Sequence, residues 1–358
     1  MHNYENCELF NGHWVRDWEP VFYTNTSCLT IPEPRNCFKN GRVDTDFLNW
    51  RWKPDACELP RFNGKLFLQN FRGKSMAFIG DSVARNHMES LHCLLSQEET
   101  PVNLYEDSED RILIWYFPDH DFTLTVLWSK FLVKEEEIII NKTNTGHYRL
   151  HIDKIGEDWY QNIPSPLDYA IISSGHWFIR KLYLYKDGAL LGCVSCDEPN
   201  IDKFDFGFAL RMSIRTGLKY IKDGDKFKGT TTVLRTYSPA HFENGNWNTG
   251  GNCKNTSPFH DLDGNTISLY NESMTMRGVQ LEEMERAIKS GLKDRRFEAL
   301  DVTKAMLMRP DGHPDSHYGK VWMKGYHDCT HWCLPGPIDA WNDLLAAILL
   351  KENSFKFN

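Results

Sequence analysis

No apolar run in the sequence is long enough to cross a bilayer, which takes about 20 residues in a helix. The longest candidate, "LLAAILL" at 344–350, reads as a buried helix. No signal peptide opens the chain, because "MHNYENCELF" is polar. Lys and Arg form no block, and the formal charge is −8, which excludes nucleic acid as a partner. A Gly-rich phosphate loop is missing, so no nucleotide fingerprint is present. Internal repeats and low-complexity tracts are missing too.

The 358 residues, 41% of them hydrophobic, suffice for one large domain or two modest ones. Aromatic residues reach 13% with 12 Trp, more than a core needs, and Trp and Tyr suit the flat faces of sugars. A missing leader taken alone suggests the cytosol. Ten cysteines argue otherwise: Cys7, Cys28, Cys37, Cys57, Cys93, Cys193, Cys196, Cys253, Cys329 and Cys333. Their even number, with four in the first 57 residues, fits a disulfide framework. Four Asn-X-Ser/Thr sequons, at Asn25, Asn141, Asn255 and Asn271, point the same way. The secretory pathway is therefore expected, with the targeting segment missing from this chain.

Residues 1–65 are rich in Cys, Trp, Pro, Asn and Gly and lack periodicity. They read as a loop-rich segment, stapled by disulfides and wrapped on a main domain over 66–358. In that domain strand-length apolar runs recur: "MAFI" at 76–79, "TLTVLW" at 123–128, "DYAIIS" at 168–173, "TTVLRT" at 231–236 and "FEALDV" at 297–302. Helical patterns lie between several of them. Ala84, Met88, Leu91 and Leu95 share one helical face, "LEEMERAIKSGL" is amphipathic, and Ile338, Trp341, Leu345, Ile348 and Leu349 line a last helix. The alternation predicts an α/β fold with a mainly parallel sheet covered on both faces.

In such a sheet ligands bind beyond the carboxyl ends of the strands. There "SMAFIGDSVARNHMESLHCLL" at 75–95 turns from strand to helix at Gly80-Asp81-Ser82. Ser82 is a candidate nucleophile whose helix N-terminus supports an oxyanion. Asp and Ser are also favoured N-caps, so the motif alone leaves a plain cap open. A base and its orienting group are available in "HDCTHWCLPGPIDAWNDLL" at 327–345, where Asp328 and His331 are three apart and neighbours on one helical turn. A surface Asp–His pair stays open. A zinc site from Cys329, Cys333, His327 and His331 is the weaker choice in an oxidising compartment, and no metal is expected. A third stretch, "YAIISSGHWFIR" at 169–180, ends a strand at Gly175-His176-Trp177. Gly175 could bring its amide to an oxyanion, and His176 and Trp177 could touch substrate; a strand-end turn is the alternative for Trp177. Arg85 either joins the site or packs the helix, and Asn86 reads as packing. The Gly/Asn-rich loop "HFENGNWNTGG" at 241–251 offers His241 and Trp247 to a glycan, or is a structural loop held by Cys253.

"NGHWVRD", "NCFKNGRVDTDFLNWRWKPDACELPRF", "GDSVARN", "SSGHWF", "RTYSPAHFENGNWNTGGNC", "RPDGHP" and "DCTHWCLPGPIDAWNDLL" follow one another in the order seen in the plant trichome-birefringence-like family. The resemblance runs over essentially the whole chain. It implies an SGNH/GDSL-like three-layer α/β/α fold with a minor lobe and a Ser82–His331–Asp328 triad. It implies disulfides Cys7–Cys57, Cys28–Cys93, Cys37–Cys333 and Cys253–Cys329, a connectivity the residues alone do not supply. Cys193 and Cys196 are then left to pair; a reactive dithiol lacks a thioredoxin-like context. Members look like Golgi polysaccharide O-acetyltransferases held by a type II membrane anchor, which this chain lacks, and supplied with acetyl groups by membrane proteins.

The expected reaction is double displacement through acetyl-Ser82, with acetyl-CoA as a test donor and no resident cofactor. The expected acceptor is a long neutral polysaccharide. "RKLYLYKDGALLGCVSCDEPN" at 180–200, "SSGHWF" and "SPAHFENGNWNTGG" most resemble the xyloglucan branch, which implies acetylation of backbone glucosyl residues. Mannan and xylan are alternative acceptors. A carbohydrate acetylesterase with the same triad and a non-catalytic glycan-binding protein are rivals of other classes.

Overall fold

The computed structural model describes residues 7–259, 270–290, 294–319 and 325–353. The chain opens with an antiparallel ribbon of β1 (Gly12–Arg16) and β2 (Trp50–Pro54). Trp14 and Trp52 meet edge to face across it. The Trp14 indole donates to the Ala305 carbonyl, and the Trp52 indole to that of Leu9. Both rings join the apolar cluster of the main domain, so the segment is part of the core rather than an appendage.

That domain begins with α1 (Gly64–Asn70), β3 (Ser75–Gly80) and α2 (Ser82–Leu95). An edge hairpin, β4 (Val102–Glu106) and β5 (Ile112–Phe117), leads to β6 (Phe122–Trp128). Next come β7 (Val133–Ile140), β8 (Thr143–Ile155), the short α3 (Glu157–Gln161) and β9 (Tyr169–Ser173). Then follow β10 (Leu182–Lys186), β11 (Ala189–Val194) and β12 (Lys203–Phe204). Helix α4 (Phe206–Asp223), β13 (Thr231–Arg235), α5 (Asn271–Lys289), β14 (Arg296–Leu300), α6 (Thr303–Leu307) and α7 (Ala340–Asn353) complete the described chain.

A seven-stranded sheet in the order β14-β13-β9-β3-β6-β5-β4 forms the centre. Its strands from β14 to β6 are parallel, and β5 and β4 add an antiparallel edge. The central strands β3 and β9 are mostly apolar because both faces are covered. In β3, Met76 and Phe78 point into a cluster with α1, α2 and α7, while Ala77 and Ile79 point into one with α4 and α5. These are the three layers of the expected α/β class. A second sheet, β12-β11-β10-β8-β7, packs on the α4 side and forms the minor lobe, with the Thr216 hydroxyl of α4 bonded to the Ile152 carbonyl.

The strands of this lobe are not visible in the pattern of the sequence. "VKEEEIII" in β7 is polar and then apolar rather than alternating, and at the edge of the main sheet β4 is exposed at every residue and equally hidden in the pattern. Strands half-open to water need no apolar face. Helix α5 starts ten residues before the amphipathic stretch at 281, and Ile338 lies in a 3-10 turn before α7. Disulfides join Cys7 to Cys57, Cys28 to Cys93, Cys37 to Cys333, Cys193 to Cys196 and Cys253 to Cys329. Two of them, Cys28–Cys93 and Cys37–Cys333, fasten the N-terminal segment to α2 and to the loop carrying Asp328 and His331.

Candidate active site

Strand β3 ends at Gly80, and the residue type there is dictated by its neighbour. Its φ is +153°, and a Cβ would lie 1.9 Å from the Ser173 carbonyl oxygen of β9. Only glycine lets the chain turn so close to the next strand. Asp81 then caps α2, its Oδ1 accepting from the Val83 amide at 3.0 Å. Ser82 follows as the first residue of the helix, at the positive end of its dipole.

The hydroxyl of Ser82 lies 2.7 Å from His331 Nε2. On the far side of the ring, His331 Nδ1 is 2.9 Å from Asp328 Oδ2. A carboxylate only accepts, so Nδ1 carries the proton and Nε2 offers its lone pair to the Ser82 hydroxyl. Asp328 Oδ1 also accepts from the amides of Thr330 at 3.1 Å and His331 at 3.0 Å, so the turn that spaces Asp328 from His331 is closed by the same carboxylate. His313 Nδ1 donates to the His331 carbonyl at 2.7 Å. Asn86 clasps the backbone of Trp332 from α2, accepting its amide at 2.8 Å and donating to its carbonyl at 3.3 Å.

Charge poises the pair for proton transfer. Burial alone would raise the Asp328 carboxyl, but His331 and Arg35 hold it well below the usual carboxylate range. Burial lowers the proton affinity of His331, Arg35 lowers it further, and Asp328 opposes both; the net direction is down. His331 is thus a free base at neutral pH.

Beneath Ser82 lies a second polar group. Asp81 Oδ2 is 3.2 Å from His176 Nδ1, and His176 Nε2 is 2.8 Å from the Ser238 carbonyl. The His176 ring stacks on Tyr237 at 4.5 Å. Burial would raise Asp81, yet His176 and then Arg235 hold its carboxyl at about 2. Arg235 is buried below them and donates to the Ser173 hydroxyl at 2.7 Å; burial lowers it to about 10. Both ring nitrogens of His176 are therefore engaged. It buttresses the Asp81 cap through Nδ1 and is itself held by the Ser238 carbonyl through Nε2.

The remaining candidates are spread unevenly. Gly175 is buried, and a Cβ there would meet the Tyr237 ring at 2.5 Å, which is why glycine occupies the position. Trp177 stands beside Trp128 at the carboxyl edge, with the Arg180 guanidinium 4.3 Å from its ring. Trp247 is 43% exposed, and its ring lies 5.4 Å from the same guanidinium. Arg85 is half-buried on α2, one turn beyond Ser82.

His241 does not line a groove: it is 1% exposed, with Nδ1 2.7 Å from His313 Nε2 and Nε2 3.1 Å from the Leu307 carbonyl. The loop turns outward only after its first residue has been buried behind the His331 loop. Burial lowers the His241 imidazole to about 4. The four donors weighed for zinc do not converge. Cys329 and Cys333 lie in disulfides, His331 faces Ser82, and His327 Nδ1 is 2.8 Å from Asp315. Of the sequon asparagines, Asn141 and Asn271 are exposed, Asn25 is half-buried, and Asn255 is half-buried with its amide on Glu243.

Four residues that shape the site had no strong signal in the sequence. Arg235 lies in a run read only as a strand. Asn86 reads as packing, His313 acts on the Asp328–His331 loop from 18 positions before His331, and Arg35 acts on it from 293 positions before Asp328. Only the closeness of Arg35 to Cys37 hinted at its place.

Residues 59–348 match the PC-Esterase family, described as a GDSL/SGNH-like acyl-esterase family found in Pmr5 and Cas1p. Residues 5–58 match the PMR5 N terminal domain. Xyloglucan O-acetyltransferase 4 of Populus trichocarpa is 56% identical over 345 residues, covering 96% of this chain and 81% of that protein. Xyloglucan O-acetyltransferase 2 of Arabidopsis thaliana is 54% identical over 345 residues, with 96% and 82% covered. Protein trichome birefringence-like 19 of Arabidopsis thaliana is 42% identical over 364 residues, with 99% and 83% covered.

Proposed function

Since the chain belongs to the PC-Esterase family, we propose that it is an O-acetyltransferase that moves acetyl groups onto xyloglucan, at backbone glucosyl residues. The observation that carries the reading is the 2.7 Å approach of Ser82 Oγ to His331 Nε2, with Asp328 behind the ring. Relatives at 54–56% identity that are named for this activity support the acceptor.

The reaction runs in two halves. His331 Nε2 takes the Ser82 proton as Oγ attacks the acetyl carbonyl carbon of the donor. The tetrahedral oxyanion forms at the positive end of α2. The Val83 amide is already bonded to Asp81, so the amides of Ser82 and Gly175 are the proposed donors to it. Collapse expels the donor's leaving group, which takes the proton from His331 and leaves acetyl-Ser82. A glucosyl hydroxyl then enters, His331 deprotonates it, and its oxygen attacks the acetyl carbon. Ser82 leaves and recovers the proton.

An acetyl donor is required; acetyl-CoA is the donor proposed for testing, with delivery by acetyl-supplying membrane proteins as the route in the cell. Trp177 and Trp247, set about Arg180, are the proposed contacts for the glucan chain, with Arg85 nearer the nucleophile. The Golgi lumen is the proposed compartment, supported by five disulfides and exposed sequons at Asn141 and Asn271. No helix among the described residues is long and apolar enough to cross a membrane.

The test is mass spectrometry of xyloglucan, glucomannan and xylan fragments after incubation with the protein and acetyl-CoA, beside Ser82→Ala. Acetyl gain on xyloglucan, lost in the variant, is expected. Gain on another polymer corrects the acceptor. Loss of acetyl from pre-acetylated fragments without any gain makes the protein an esterase instead.

A further inference from the structure

Arg35 lies in the N-terminal segment, outside the residues that match the esterase family, yet its guanidinium reaches the centre of the site. Its Nη1 is 3.4 Å from Asp328 Oδ2, and the two side chains are only 11% and 13% exposed. Its Nε is 4.0 Å from Glu89 Oε2. Glu89 is seven residues after Ser82 on α2, two turns along the same face. The backbone of Arg35 is tied to the same loop, because its carbonyl accepts from the Leu334 amide at 2.9 Å. Two residues on, Cys37 is bonded to Cys333. One side chain thus spans the helix that carries the nucleophile and the loop that carries the base.

We propose that Arg35 is a positioning residue of the Ser82 centre, by which the N-terminal segment holds α2 and the Asp328–His331 loop in register. The proposal rests on the triad reading given above. A guanidinium suits the role because its planar fork reaches between two carboxylates, with Nη1 bonded to Asp328 at 3.4 Å and Nε in a longer charge contact with Glu89 at 4.0 Å. Its charge acts on the imidazole from behind Asp328. The other charged and titratable groups that face His331 are Asp328 itself, His176 below Ser82, and His313 on the His331 carbonyl. Beyond Arg35 stand Glu89 and Arg85. Among the described residues Arg35 is the cation in contact with the pair, and Asp328 is the anion it shares with His331.

The experiment is the pH profile of kcat/KM for cleavage of 4-nitrophenyl acetate by the full chain, for wild type, Arg35→Gln and Arg35→Lys. This ester needs only the acyl-serine step, so a wrong polysaccharide does not affect it. Wild type no faster than Ser82→Ala would sink the triad reading; an active wild type leaves Arg35 to be judged by itself. Arg35→Gln is expected to move the acid limb up, because Arg35 lowers the proton affinity of His331, and Arg35→Lys to return it. A folded Arg35→Gln whose limb stays at the wild-type position overturns the proposal, because a merely structural contact lowers the plateau without moving the limb. If Arg35→Gln does not fold, Arg35→Met, which keeps the length of the side chain without its charge, is measured in its place: a limb moved up supports the proposal, and a limb at the wild-type position overturns it.

Discussion

Replacing Asp328 by Asn tests the proton path with little change of shape. The Asn carbonyl can still accept from the Thr330 and His331 amides, now held at 3.1 and 3.0 Å, so the turn survives. What changes is the atom 2.9 Å from His331 Nδ1, where an acceptor becomes an NH2 donor. Two donors cannot share that contact, and Oδ1, 3.1 Å from the same nitrogen, already accepts from two amides, so the imidazole shifts its proton to Nε2, the nitrogen facing Ser82. Ser82 then has no base. Loss of the correct tautomer in serine hydrolases costs about 10⁴-fold in kcat, which corresponds to ~5.4 kcal/mol of barrier. Arg35 also loses its carboxylate partner, and stranding one member of a buried pair costs about 3 kcal/mol of stability. The assay is therefore acetyl transfer to xyloglucan oligosaccharides by mass spectrometry, corrected by the folded fraction from a melting curve. A folded Asp328→Asn protein within tenfold of wild type would refute the assignment of Asp328 and the tautomer argument with it.

Three further outcomes follow from the same contacts. Because burial and Arg35 lower His331, the acid limb of kcat/KM should have its midpoint below 6.5, the usual imidazole value; a midpoint above 6.5 would contradict this. Asp343 accepts from the Phe62 amide at 2.7 Å, and burial, with Asp339 adding to it, raises its carboxyl to about 7. A folded value above the unfolded one means a contribution complete below about pH 4 and lost as pH rises through 7. Asp343→Asn should then raise the melting temperature at pH 8 and raise it less at pH 5, with a uniform gain or a loss at pH 8 counting against the account. Removing the Cys37–Cys333 bridge by a double Ser substitution should cost about 2–4 kcal/mol by melting and lower kcat, since the bridge ties the N-terminal segment to the loop of His331; an unchanged kcat would show that the loop holds without it.

The central parallel strands were readable because burial on both faces favours short runs of apolar and β-branched residues: "MAFI", "DYAIIS" and "TTVLRT" all fall in the main sheet. The antiparallel edge and the minor lobe were not, because β4 and β7 face water along much of their length and carry no period. In the site, Ser82 and the Asp328–His331 turn were legible from local chemistry, a cap after an apolar strand and a spacing of three. His241 and Trp247 looked alike in one Gly/Asn-rich loop. The structure separates them, the first buried against His313 and the second open beside Arg180.

What the sequence determined by itself is local. The steric demand at Gly80, the cap at Asp81 and the carboxylate-closed turn from Asp328 to His331 all rest on residues within a few positions of one another, or on one neighbouring strand. The tertiary structure decided which local pieces meet. Ser82 and His331 are 249 positions apart, and only the parallel sheet, the Asn86 clasp and the Cys37–Cys333 bridge bring them to 2.7 Å. Arg35 is farther still from Asp328 along the chain, 293 positions. Periodicity records which face of an element is buried and carries nothing about what it is buried against, so a cation arriving from the N-terminal segment leaves no trace in the pattern around the triad.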